Sequence, residues 1–142
     1  YKIYRHLIFI ILLGRIIIYA YIIMLSEKNS INYFLFGCIP ARILIAVIPL
    51  IASAKILFYY SFILLAIAIG FLYLYFTNGR MNAPEAGGKT WWANYRIIHG
   101  LLYLIAAWYA FNKQQIAYAP LSLDVCIGLG LFLNKHYLHF TD

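Results

Sequence analysis

Residues 56–76 form an unbroken apolar run without a charged side chain, and this run constrains the fold more than any other feature. A helix needs about 20 such residues to cross the hydrocarbon core of a bilayer, so the run predicts a membrane-spanning helix. Hydrophobic residues make up 65% of the chain and charged residues 11%, whereas a soluble domain has about 25% charged residues. We therefore expect an integral membrane protein without a separate aqueous domain.

Similar apolar runs recur along the chain. We predict an all-α fold: a polytopic transmembrane helix bundle of about five spans, four being possible, in a single domain over residues 1–142. The predicted spans cover residues 7–25, 33–51, 56–76, 91–111 and 116–136, with a long loop at 77–90. We expect Thr90 to cap the fourth helix, Asn78 and Gly79 to stop the third, and Pro40 and Pro49 to kink the second. The first run lacks a small-residue cleavage site, so it is expected to be a retained helix rather than a signal peptide.

Charged side chains in the middle of predicted spans are the candidate functional residues. Arg15 and Arg42 lie near the centres of their spans, and Asp124 is the only acid in a comparable position. A charge at the bilayer centre costs at least about 2.5 kcal/mol on insertion scales, so such residues usually face a partner, a ligand or water. His99 and Asp124 each lie about 13 Å from the start of their helix. We predict one buried polar layer of Arg15, Arg42, His99 and Asp124, with Arg96 close by.

Pairing within this layer has alternatives. Asp124 is predicted to pair with Arg42 or Arg15, because a lone carboxylate near mid-membrane would otherwise become protonated, and His99 is the next candidate partner. The arginines outnumber the aspartate, so at least one cation needs a lipid phosphate, an anionic ligand, a cluster of carbonyls or an acid of another subunit. The alternative is that a span boundary is misplaced and an arginine lies near the surface.

Small residues four positions apart predict close packing between helices. Such pairs occur at Gly37 and Ala41 and at Ala66 and Gly70, and a third row comprises Ser122, Cys126 and Gly130. A stripe on the fourth predicted helix is expected to face the bundle; it comprises Trp92, Arg96, His99, Gly100, Tyr103, Ala107 and Ala110.

No pattern of catalytic or metal-binding residues accompanies these features. Cys38 and Cys126 lie far apart in apolar runs, which is typical of free structural thiols. Asp124 and His136 are about 18 Å apart along one helix, too far to bind the same metal ion without a break. His136 and His139 could chelate a metal at a helix end, but interfacial histidines are common. We predict no catalytic residue, no metal and no cofactor.

The formal net charge of +7 predicts contact with anionic lipids rather than with nucleic acid. Trp91 and Trp92 are expected in an aromatic belt at the membrane surface, and together with Lys89 and Arg80 they form the predicted lipid-contact surface. Positive charges are spread almost evenly over the two sides of a five-span arrangement, so the sequence does not predict its orientation.

Three stretches of the chain resemble a family of small multi-pass membrane proteins encoded by large double-stranded DNA viruses of algae and other protists. They are GCIPAR at residues 37–42, WWANYRIIHGLLY at 91–103, and LDVCIGL at 123–129 with the later pair His136-Tyr137. The resemblance implies a viral or host membrane and supplies no catalytic role. Its stretches include Arg42, Arg96, His99 and Asp124.

These observations favour a non-enzymatic membrane protein that acts in the internal membrane of a virion or in a remodelled host membrane. Its expected partners are membrane lipids, other membrane subunits or further copies of the same chain. One alternative is a small ion or anion channel or transporter that uses the buried arginines and Asp124. Another is an accessory subunit of a protist organellar membrane complex, and a metal-dependent intramembrane hydrolase comes last.

Overall fold

The computed structural model describes residues 31–83, 86 and 88–138. This part of the chain is mostly helical, which confirms the all-α class. Three of its helices are long and apolar enough to cross a membrane: Ile31–Ile51, Ala54–Phe76 and Gln115–His136. The predicted span at residues 7–25, and Arg15 with it, lies outside the described residues. The predicted count of five spans is therefore not confirmed.

The first described helix contains a wide turn ahead of a proline. A π turn at Phe34–Cys38 leads directly into α1, which covers Ile39–Ile51. Pro40 has no N–H, and its ring would clash with the carbonyl four residues earlier in a regular α-helix. In the π turn the N–H of Ile39 instead donates to the carbonyl of Phe34. The kink predicted at Pro40 thus corresponds to a π turn that ends at Cys38, one helical turn before Arg42.

Pro49 lies inside α1, and the backbone carbonyl that it leaves unpaired is bonded to the next helix, α2, which covers Ala54–Phe76. Because Pro49 has no N–H, the carbonyl of Ile45 lacks its usual helical donor. The buried Tyr60 of α2 donates its hydroxyl to this carbonyl at 2.9 Å. A neighbouring helix therefore satisfies the group that the proline leaves open, as proline in a membrane helix requires.

The end of α2 matches the predicted stop signal. Asn78 adopts a left-handed φ of 49°, and the N–H of Gly79 donates to the carbonyl of Leu74 at 3.1 Å. In the loop that follows, two short strands pair antiparallel, β1 at Asn82–Ala83 and β2 at Gly88–Lys89. A 3-10 turn at Ala93–Tyr95 then leads into α3, which covers Arg96–Phe111.

The helix in the fourth predicted span begins at Arg96 and not at residue 91, where the sequence predicts its start. Thr90 does not cap α3: its hydroxyl donates across the loop to the carbonyl of Met81 at 2.7 Å. Trp91 and Trp92 occupy a turn instead of the first helical positions. With 16 residues, α3 is about 24 Å long, which is shorter than the roughly 30 Å hydrocarbon core. This helix alone does not reach across a membrane.

The last described helix, α4, covers Tyr118–Leu133, between a 3-10 turn at Gln115–Ala117 and a π turn at Asn134–Leu138. In the bundle α2 packs along α3, α1 packs against α4, and α3 also contacts α4. Gly100 permits a close approach of α3 to α2, because a Cβ there would lie 2.9 Å from the side chain of Leu72. The main core is built of small and apolar side chains: Ala46, Ala52, Leu57, Tyr60, Leu64, Ala68, Tyr103, Ala106, Ala107, Ala110, Ala117 and Leu121.

The predicted small-residue pairs do not lie between the described helices. Gly37 and Gly70 are exposed, and no described residue lies within 4 Å of a Cβ built at either position. In α4 the exposed Cys126 faces away from the core, whereas Asp124 and Gly128, which are also four positions apart, are buried. Spacing alone does not reveal which face is buried when small residues occur on several faces of a helix.

Candidate functional site

Three helices bring a polar cluster together inside the bundle. We define the Arg–His–Asp cluster as Arg42 of α1, His99 of α3 and Asp124 of α4. The side chains of His99 and Asp124 are 2% and 1% exposed, and that of Arg42 is 13% exposed. Gly128, one helical turn after Asp124, lies beside the guanidinium, since a Cβ there would be 3.4 Å from Nη1 of Arg42, in van der Waals contact. Helix geometry therefore places an acid, an imidazole and a cation at one level.

The hydrogen bonds of the cluster fix the orientation of each group. Nη1 of Arg42 donates to Oδ2 of Asp124 at 3.0 Å, and Nδ1 of His99 is hydrogen-bonded to Oδ1 of the same carboxylate. A carboxylate only accepts, so His99 carries its proton on Nδ1. Nη1 of Arg42 also lies 3.3 Å from Nδ1 of His99, and this distance is then a contact between two donors.

Aromatic rings of α2 and α3 complete the surroundings of the cluster. The guanidinium carbon of Arg42 lies 5.7 Å from the centre of the Phe71 ring, within cation–π range. The Phe71 ring is also 5.8 Å from the His99 ring and 5.7 Å from the Tyr103 ring. All four described helices thus contribute to one site, and its apolar walls strengthen the electrostatic attraction within it.

The buried polar atoms of the cluster have hydrogen-bond partners. Among the described residues, no buried side-chain nitrogen or oxygen lacks a hydrogen-bond partner. Within the same residues, no group of three or more His, Cys, Asp or Glu side chains could hold a metal ion. Asp124 orients His99 in the way that an acid orients the histidine of a catalytic general base. In the described part of the chain, however, no hydroxyl or thiol is hydrogen-bonded to this imidazole. The arrangement is therefore suited to holding helices together.

Arg96 is buried one helical turn before His99 and lines the same cavity as Arg42, but its hydrogen bonds are not to the cluster. Its guanidinium donates to the carbonyls of Gly79 and Arg80 at 2.6 and 2.7 Å, and lies 3.4 Å from that of Leu74. The residue is only 3% exposed. Burial, and to a lesser extent the charge of Arg80, lowers the pKa of the Arg96 guanidinium. Arg96 thus caps the end of α2 and joins it to the start of α3.

The predicted lipid-contact residues divide into two groups. Lys89 and Arg80 are exposed in the loop, whereas Trp91 and Trp92 are half-buried. The ring centres of the two tryptophans are 4.9 Å apart, and they lie 5.9 and 6.1 Å from that of Phe34. The Phe34 ring in turn stacks on Phe132 of α4 at 4.7 Å. The tryptophans therefore join the loop to α4 and to the helix that contains α1.

Sequence reasoning missed this aromatic cluster. Phe34 lies in the π turn before Pro40 and Phe132 lies near the end of α4, and both are buried. The available signal was positional. Phe34 lies at the start of its predicted span and Phe132 near the end of its own, and both positions are on the side of the bundle where the fourth predicted span begins at Trp91. Aromatic residues at one end of a bundle can pack on one another as readily as on lipid headgroups.

Above the cluster, a cavity of about 490 Å³ lies between the helix that contains α1 and α2, beneath the loop. Its lining includes Arg42 from α1, Phe71 from α2, Arg80 and Thr90 from the loop, and Arg96 at the start of α3. The cavity therefore extends from the loop end of the bundle to the edge of the Arg–His–Asp cluster.

Comparison of the chain with protein-family models, with curated proteins and with solved structures gives no match in any of the three.

Proposed function

We propose that the chain is a non-enzymatic multi-pass membrane protein that acts through contacts with lipids and partner proteins in a viral membrane, either inside the virion or in a remodelled host membrane. One observation carries the proposal. In the Arg–His–Asp cluster, Arg42 and His99 are both bonded to the carboxylate of Asp124, and Arg42 packs on the Phe71 ring. Such a cluster joins three helices, and in the described part of the chain no hydroxyl or thiol is hydrogen-bonded to its imidazole as a nucleophile would be. The viral membrane follows from the sequence resemblance alone.

The outer surface supports a membrane location. Large apolar side chains are exposed on every described helix, and the most exposed of them are Phe36, Leu44, Ile51, Tyr73, Phe76 and Trp108. In water such a surface would be an aggregation hazard, whereas lipid tails solvate it at no cost. The outward small residues Gly37 and Gly70 additionally allow close approach of a helix from another subunit or from a second copy of the chain.

Fractionation tests this proposal. A tagged chain expressed in the host cell should stay in the membrane pellet after extraction at alkaline pH, which removes peripheral proteins, and should be released by detergent. In infected cells it should purify with virions and be lost when detergent strips their membrane. Recovery only in organelle membranes that carry no viral protein would contradict the viral assignment, and release by alkali would contradict the membrane assignment.

The second candidate function is a small anion channel or transporter, and the arginine-lined cavity favours it. Against it, the half of the bundle beyond the cluster is packed with buried apolar side chains, such as Leu57, Leu64, Ala106 and Leu121. Reconstituted liposomes decide between the two classes. The leading proposal expects no ion or proton flux from the wild type or from Arg42→Gln, and flux that Arg42→Gln alters would favour the channel.

A further candidate is an accessory subunit of an organellar membrane complex, for which the outward small residues would be the contact surface. It predicts purification of the chain with that complex in mild detergent. Purification of the chain alone, or with virion proteins, would exclude this function.

A further inference from the structure

The cavity beneath the loop has two ends of different chemistry. At the loop end, Thr90 and Arg96 donate to backbone carbonyls, so their polar groups are already used. The deep end is lined by Arg42 and Tyr103. Arg42 comes eleven residues after Ile31, where the described part of its helix begins, and is therefore about 16 Å inside the bundle. The deep end thus lies at the level of lipid tails and not of lipid headgroups.

The hydroxyl of Tyr103 is a polar group that the described protein leaves without a partner. Tyr103 is only 2% exposed, and its hydroxyl forms no hydrogen bond with another described residue. Every fully enclosed side-chain oxygen among these residues does have a partner, so this hydroxyl must open into the cavity that Tyr103 lines. A tyrosine hydroxyl in an apolar wall usually finds a partner, because a hydrogen bond left unmade there is costly. The hydroxyl is therefore placed to bond to a ligand.

Arg42 presents further donors beside this hydroxyl. Its Nη1 bonds to Asp124, whereas Nη2 and Nε donate to no acceptor among the described residues. The guanidinium carbon of Arg42 and the centre of the Tyr103 ring each lie 5.7 Å from the centre of the Phe71 ring. Donors from two helices therefore border one aromatic ring. Because Arg42 is already paired with the carboxylate of Asp124, the ligand need not be an anion.

The rest of the deep end is apolar. Ile45 of α1 and Ile67 of α2 line it together with Phe71. Since α1 packs mainly against α4 and α2 against α3, the cavity lies in the gap between α1 and α2. Its volume of about 490 Å³ accommodates a ring with an attached chain. A charged group would lose its hydration against such walls at a high cost. The deep end therefore favours an uncharged planar group that carries a hydrogen-bond acceptor and an apolar chain.

We propose that this cavity binds a lipid-soluble quinone, with one carbonyl oxygen accepting hydrogen bonds from Arg42 and Tyr103, the ring against Phe71, and the chain along Ile45 and Ile67. Depth favours a quinone over a phospholipid, whose ester carbonyls lie near the headgroups, whereas a quinone dissolves among the lipid tails. The inference rests on the proposed membrane location, because the ligand enters from the lipid, and it goes beyond the proposed function by assigning a ligand.

Native mass spectrometry of the purified full chain in detergent tests the proposal. The probes are decylubiquinone and decylbenzene, which has no carbonyl. One hydrogen bond corresponds to about tenfold in affinity, so decylubiquinone should be retained at least about tenfold better. Tyr103→Phe removes only the hydroxyl and should lower this retention about tenfold. Tyr109→Phe, the same change on α3 outside the cavity lining, is the matched control and should leave retention within about twofold.

Several results would overturn the proposal. These are equal retention of the two probes, undiminished retention of decylubiquinone by Tyr103→Phe, or an equal loss in Tyr109→Phe. A lower free energy of unfolding for Tyr103→Phe would also overturn it, since the hydroxyl would then have a partner within the protein. Displacement of decylubiquinone by an equal concentration of dioleoylglycerol would assign the cavity to the ester carbonyls of a lipid. A chain that resists alkaline extraction without retaining decylubiquinone contradicts only this inference, whereas a chain released by alkali contradicts the membrane location.

Discussion

Removing Asp124 should reveal how strongly the Arg–His–Asp cluster holds the bundle together. Asp124→Asn keeps the shape of the side chain but deletes the buried negative charge to which Arg42 and His99 are bonded. Arg42 then keeps its charge with only 13% of its side chain exposed and no acid to pair with among the described residues. Breaking a buried pair by removing one partner costs roughly 3–5 kcal/mol, and we expect this loss of unfolding free energy for Asp124→Asn and for Arg42→Gln separately.

The double variant is more informative than either single variant. Asp124→Asn with Arg42→Gln removes both charges, so its loss should be smaller than the sum of the single losses by about 0.5–3 kcal/mol. The measurement is the free energy of unfolding in mixed micelles of mild and denaturing detergent. Lys113→Gln, an exposed change in the turn between α3 and α4, is the control and should add to Asp124→Asn within about 0.5 kcal/mol. Strict additivity of Asp124 and Arg42 would refute the pairing, and coupling of Asp124 to His99→Phe alone would assign the carboxylate to the histidine.

Three further predictions concern the contacts around the cluster. Tyr60→Phe should lower the unfolding free energy by about 1–3 kcal/mol, because the carbonyl of Ile45 loses its donor. In a Pro49→Ala background the helix supplies its own donor to this carbonyl, so the cost should be much smaller. An undiminished cost there would show that the bond does not matter. Gly100→Ala should cost about 1–3 kcal/mol through crowding of α2, whereas Gly70→Ala, which faces open space, should be neutral or stabilising in the same unfolding assay. Arg96→Lys loses the planar fork that holds two loop carbonyls, so limited proteolysis should cut the loop faster, and an unchanged rate would contradict the capping role.

The geometry of the Arg–His–Asp cluster could be anticipated because an α-helix rises by a fixed distance per residue. Depth alone placed Arg42, His99 and Asp124 at one level, and the high cost of a lone buried charge indicated that they would meet. Depth could not decide between Arg42 and Arg15 as the partner of Asp124. The structure assigns Arg42, and Arg15 lies outside the described residues.

The place of Arg96 could not be predicted in the same way. Whether an arginine near a helix start faces the core or the loop depends on how the preceding loop folds back, and this loop returns through two short strands. Asn78 and Arg80 both adopt left-handed backbone conformations there, and the carbonyls of Gly79 and Arg80 face Arg96. For the same reason Thr90, which has the residue type of a helix cap, closes the loop instead. Local propensity was outweighed by the contacts of the loop.

Two arginines of the described bundle, Arg42 and Arg96, are held in two different ways. Arg42 is paired with Asp124, the only acid among the described residues, inside the Arg–His–Asp cluster. Arg96 is bonded to carbonyls and keeps its charge, and it lies at the same end of the bundle as the exposed Arg80 and Lys89. Stability of the bundle and the fold of the loop end therefore depend on separate residues. The acid of the cluster joins three helices, whereas the carbonyls that bind Arg96 join the end of α2 to the start of α3.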